Sequence, residues 1–92
     1  MPHPRFSGTE ITQRGKELYE QHIRALVETQ ENIGKIVSID IETGDYEVGD
    51  DLIATGDRLF ARHPDAALYG ARIGYNAVYA LGGGTLYAHP LP

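Results

Sequence analysis

Apolar positions recur at helical spacing over the first third of the chain, alternate strictly from about residue 35, and return to helical spacing after residue 50. Ser7 stands three residues before Glu10, the arrangement of a capping box, and Ile11, Leu18, Tyr19, Ile23, Leu26 and Val27 follow as one stripe. This predicts an N-terminal helix. Gly15 falls inside it and costs about 1 kcal/mol relative to alanine, so a break is expected there, with Lys16 to Val27 as the firmer span. Val37, Ile39 and Ile41 then alternate with Ser38, Asp40 and Glu42, the pattern of a strand with one dry face and one wet, acidic face. Thr43-Gly44-Asp45 supplies a turn, and Tyr46, Glu47 and Val48 return as the partner strand of a hairpin.

A second helix is predicted over 51–63, with Asp50 as its N-cap and Leu52, Ile53, Gly56, Leu59 and Phe60 on one stripe. Arg58, Arg62 and His63 near its end suit the helix dipole, and Pro64 stops it. Ala67 to Ile73 and Ala77 to Leu81 read as a second hairpin around Gly74-Tyr75-Asn76. The expected fold class is α+β, in the order α-β-β-α-β-β. A four-stranded antiparallel sheet of order 2-1-3-4 packs on helix 51–63, whose stripe covers Val37, Ile39 and Ile41. The N-terminal helix, solvent or another chain covers the opposite face. Residues 1–92 form a single domain, with 1–8 and 84–92 as flexible tails and Gly82-Gly83-Gly84 leading into the second.

Composition narrows the functions. Ninety-two residues leave no room for two domains, and a chain of this size buries roughly 60–65% of its unfolded surface, so a second copy would help its stability. The chain has no cysteine, which excludes a disulfide scaffold, a thiolate zinc site and a cysteine nucleophile. No apolar stretch approaches a membrane span, and a cytoplasmic location is expected. The net charge of −5 is local: Asp40, Glu42, Asp45, Glu47, Asp50, Asp51 and Asp57 lie between residues 36 and 57 with no lysine or arginine among them.

Conventional chemistry finds little support. A calcium loop starting at Asp40 would have Gly44 at position 5 and Asp45 at position 6, against the ligand pattern. Asp40 and Glu42 share a strand face, but their polar neighbours give no reason for a raised pKa. Histidines 3, 22, 63 and 89 form no metal-binding pair, and Ser7 and Ser38 have no nucleophile elbow. Neither catalytic nor metal residues nor a cofactor are expected. An acidic surface with no basic arm does not suit nucleic acid. It suits a basic protein, because long-range attraction raises the association rate. Arg72 amid Tyr69, Tyr75 and Tyr79 brings together residue types that dominate interface hot spots.

The run from Gly34 to Tyr46, GKIVSIDIETGDY, followed by Arg62-His63-Pro64-Asp65 and by RIGYNAVY from Arg72 to Tyr79, resembles a group of small bacterial proteins frequent in cyanobacteria and known mainly as hypothetical proteins. The resemblance spans Arg14 to Gly83 and implies no catalytic residue. More distantly, the hairpin followed by Gly49-Asp50-Asp51 and a helix is similar to HicB-type antitoxin domains, which neutralise a small basic ribonuclease with a partial RNase H-like sheet. The chain departs from them in its long first helix and in having no recognisable DNA-binding tail. The expected function is a non-enzymatic, antitoxin-like interaction module, homodimeric, that binds a basic protein. Asp40, Glu42, Asp45 and Glu47 steer the partner, and Arg72, Tyr75 and Tyr79 anchor it. The alternative is a regulatory domain that binds a small molecule or a metal.

Overall fold

Residues 3–80 and 86–90 are described in the computed structural model, with side chains through Tyr75. The chain is α+β. Helix α1 (Gly8–Leu18) starts on the capping box: Ser7 Oγ accepts from the Glu10 N–H, and the Glu10 carboxylate accepts from the Ser7 N–H. It continues without a break through a π-helical turn (Tyr19–Ile23) into α2 (Arg24–Val27).

Gly15 is therefore not a point of fraying; it is buried where α1 crosses the sheet. A Cβ added at Gly15 would land inside the ring of Tyr69. The irregularity lies instead at the π turn, where the Arg24 N–H reaches back to the Tyr19 carbonyl. Its effect is geometric. Ile11, Gly15, Tyr19, Ile23 and Val27 are the buried positions, spaced four residues apart. In an ideal helix each such step drifts by about 40° around the axis, which would carry Val27 out of the interface. One extra residue in a turn sets the row back by about 100° and keeps it on one face. Leu26, expected in this stripe, is exposed.

Strands β1 (Ile36–Asp40), β2 (Tyr46–Gly49) and β3 (Leu68–Arg72) form an antiparallel ladder of order β2-β1-β3. Backbone pairing continues to β4 (Tyr75–Ala80) and on to β5 (Leu86–Pro90), beyond the four strands expected. Of the segment expected as a C-terminal tail, Leu86–Pro90 is thus β5, while 84–85 and 91–92, like Gly82 and Gly83, lie outside the described residues. At the other end Phe6 packs on the core and Arg5 donates to the Asp65 carbonyl, so residues 3–7 are tied to the body of the fold.

Helix α3 (Leu52–Arg62) follows β2, and its cap is Asp51, not Asp50: Asp51 Oδ1 accepts from the Ala54 N–H at 2.7 Å. The helices cover the sheet the opposite way round from expectation. Val37, Ile39 and Ile41, with Tyr69, Ala71 and Ile73, pack against Ile11, Tyr19, Ile23 and Val27 of the N-terminal helix. Burial there pushes the Tyr69 hydroxyl up to about 12. Helix α3 lies on the other face, over β1 and β2, and buries Thr55, Gly56 and Leu59.

The face that looked wet is therefore dry. Ser38 and Asp40 are fully buried, and Ser38 Oγ meets Thr55 Oγ1 at 2.7 Å, so the two hydroxyls satisfy each other. Ile53 and Phe60, assigned to the core from their spacing, are exposed. The small side chain of Thr55 and the bare Gly56 let the helix settle on the sheet with that pair turned aside. Together the layers are helix, sheet, helix, and β1 is covered on both faces.

Candidate functional site

The acidic block builds the end of the first hairpin. After Asp40 the chain must reverse within five residues to start β2. Gly44 makes this possible with φ of 79°, and its N–H donates to the Asp40 carbonyl at 2.8 Å. The Asp40 side chain fastens the same turn: Oδ1 accepts from the Glu42 N–H at 3.1 Å and Oδ2 from the Thr43 hydroxyl at 2.9 Å. With 1% of its surface exposed, Asp40 cannot face a partner. Its expected steering role is corrected to that of a turn former, because a carboxylate inside its own loop finds donors that water would otherwise supply.

The other three acids are on the surface but matched by cations. Arg62 Nε lies 2.9 Å from Asp45 Oδ2, and Arg62 Nη1 lies 2.8 Å from Glu47 Oε2. Arg58 Nε lies 3.0 Å from Glu47 Oε1, His63 Nε2 lies 3.0 Å from Asp45 Oδ2, and Arg5 pairs with Glu42. The hydrogen bond from Arg62, with a second from His63, holds the Asp45 carboxyl below the usual carboxylate range. Arg58, Arg62 and His63 are the residues whose place near the end of the helix suits its dipole; Arg5 carries no such signal in the sequence. The spacing of the two arginines already held the better signal: Arg58 and Arg62 are one turn apart on a helix that folds straight back over the hairpin, so both reach Glu47 of β2 and Arg62 also reaches Asp45 in the turn.

A depressed Asp45 carboxyl stabilises the fold above its unfolded pKa, and that contribution is lost as pH falls through the lower folded value. Arg62→Ala removes the main cause. The variant is expected to melt below the wild type at pH 6, with the gap closing as pH falls below about 4. Melting curves between pH 2 and pH 6 check this, and a gap independent of pH would contradict it.

A cleft of about 290 Å³ opens beside the turn, lined by Arg5, Asp40, Glu42, Thr43, Arg62 and His63 among others. Each of these six side chains is engaged with a protein group. Among the described residues no buried side-chain nitrogen or oxygen lacks a partner, and no three metal-ligating groups converge.

At the second hairpin, Arg72 Nη1 donates to the Gly34 carbonyl at 2.9 Å, and its guanidinium lies 5.8 Å from the centre of the Tyr75 ring. Tyr75 is 40% exposed. The backbone of Tyr79 lies opposite Gly70 and Leu86, and its side chain is outside the described residues. The structure thus brings Arg72 and Tyr75 together and keeps them apart from the hairpin acids, at the other end of β3. No helix among the described residues is long and apolar enough to cross a membrane. Compared with protein-family models, with curated proteins and with solved structures, the chain matches none of them.

Proposed function

We propose that this chain is a non-enzymatic interaction module that binds a basic protein, in the manner of an antitoxin. One observation carries the reading. The acids of the hairpin are spent on internal bonds, whereas Asp50, Asp51 and Asp57 stand exposed around the start of α3 with no ion pair among the described residues. Within the acidic block the uncompensated negative charge therefore sits around the first turns of α3, and not at the hairpin tip. Charges already matched at 3 Å contribute little field at a distance, so steering falls to Asp50 and Asp57, with Asp51 committed to its cap.

The test is to purify the tagged chain from its host, identify any protein bound to it, and follow association of the pair at rising salt. Asp50→Lys with Asp57→Lys is expected to slow association about tenfold at low ionic strength and to flatten its salt dependence. Unchanged kinetics would remove the steering role, and recovery of this chain alone would remove the antitoxin-like reading. The cleft beside the turn supports a second reading, a regulatory domain for a small polar molecule; a rise in melting temperature with nucleotides, calcium or magnesium favours it.

A further inference from the structure

We propose that the flank of α3 carrying Ile53 and Phe60, together with Arg72 and Tyr75, is the contact surface for a second copy of this chain. Helix α3 is held toward one edge of the sheet. Arg58 and Arg62 pair with β2, while Thr55 and Leu59 pack over Ser38 and Leu68. The opposite flank is turned away from β2, and there Ile53 is 77% and Phe60 41% exposed. Seven residues apart, they lie on the same side of the helix, about 10 Å from each other along its axis.

That flank borders an open strip of sheet. Strands lie about 4.8 Å apart and a helix is about 10 Å across, so α3 lies over β1 and β2 and meets β3 at its Leu68 end, where Leu59 packs on Leu68. The N-terminal helix is on the other face. Among the described residues no other helix lies on the α3 side, which leaves β4, β5 and the Arg72 end of β3 without one of their own. The width of that strip is about that of one further helix. The register puts Arg72 opposite Ile36 and Gly70 opposite Ser38, which places both on the α3 side.

Charge selects the occupant. Arg72 has no carboxylate partner among the described residues, and Asp57, exposed between Ile53 and Phe60, has no cation. A basic helix would set like charge against Arg72, and an anionic membrane would set like charge against Asp50 and Asp57. A second copy brings the Asp57 carboxylate to the Arg72 strip and its own Ile53 and Phe60 to the apolar flank. Twofold symmetry repeats each of these contacts.

Sedimentation equilibrium of the full chain tests the proposal. The 10.1 kDa chain is expected to sediment as a dimer of about 20 kDa at concentrations near 100 μM. Ile53→Lys, at a site exposed in the monomer, is expected to give a monomer with unchanged circular dichroism. Asp57→Arg and Arg72→Asp are each expected to raise the dimer Kd by about tenfold or more, and their combination to restore it to within about threefold of wild type. Should Arg72→Asp lose its fold through the Gly34 contact, Arg72→Gln replaces it, and adding Asp57→Asn is then expected to raise Kd no further. A wild-type monomer at these concentrations overturns the proposal. So does a dimer indifferent to Ile53→Lys, or a charge-swapped pair no tighter than the single variants. These outcomes are separate from the fate of the basic-partner reading, which is decided by what co-purifies.

Discussion

Gly15→Ala is expected to lower the melting temperature by about 8–16 °C. On an exposed helix the same substitution would stabilise by about 1 kcal/mol, because glycine spends more backbone entropy on folding than alanine does. Here the sign is reversed by a neighbour. Tyr69 is buried in β3 opposite Ile39, and a Cβ on Gly15 would overlap the Tyr69 ring at Cγ, Cβ and Cδ1. A rotamer change moves Cγ and Cδ1 but not Cβ, which the backbone fixes, so the overlap with Cβ persists and α1 itself must lift. Overpacking of this depth costs about 3 kcal/mol, which leaves a net loss of about 2 kcal/mol after the helical gain. Tyr69→Val in the Gly15→Ala background is expected to recover part of the loss, since the two changes share one contact. Thermal unfolding of the wild type, the Gly15→Ala and Tyr69→Val single variants and the double variant, followed by circular dichroism, decides it. A Gly15→Ala chain as stable as the wild type would mean that α1 does not approach the sheet this closely.

That glycine illustrates how the fold is written in the chain. Read locally, Gly15 is a weak point in a helix; only the docking of that helix on Tyr69 turns it into a requirement. Most signals between near neighbours were legible, the cap of α3 being displaced by one residue from Asp50 to Asp51. The Ser7 and Glu10 box, the alternation of Val37, Ile39 and Ile41, and the Thr43-Gly44-Asp45 turn each carry their own physics within a few residues. The β2-β1-β3 order was legible too, because a helix following a hairpin must return the chain antiparallel to β1. What sequence could not show is which helix covers which face. Ser38 and Asp40 look solvated because a polar side chain demands partners, and water is the default one. Thr55 lies seventeen residues away, and the turn donors of Asp40 exist only once the loop has formed. The same holds for charge: seven acids in one run look like an exposed patch until α3 folds Arg58 and Arg62 back onto it. The exposure of Ile53 and Phe60 follows from that return, since pairing Arg58 and Arg62 with β2 turns the opposite flank outward.

Asp40→Ala is expected to destabilise the fold by about 2 kcal/mol and to leave partner association at low salt unaltered. A buried carboxylate that accepts two hydrogen bonds contributes through both, and its removal leaves the Glu42 N–H and the Thr43 hydroxyl to find water at the edge of the turn. Both residues are exposed, so water supplies part of what is lost, and the cost stays below that of a fully buried orphan. Asp40→Asn should fall between, because its amide oxygen serves one donor while its NH2 confronts the other. Glu42→Ala separates this role from surface electrostatics. Its carboxylate is exposed and paired only with the half-exposed Arg5, so its loss is expected to cost less than about 0.5 kcal/mol. Urea titrations of the three variants measure the difference as a shift in midpoint at constant slope. Equal midpoints for Asp40→Ala and wild type would return Asp40 to the surface and the hairpin acids to the steering role. A loss confined to Asp40 means that the clearest acidic motif in the chain is a device for closing a five-residue turn, and that the charge a partner meets begins at Asp50.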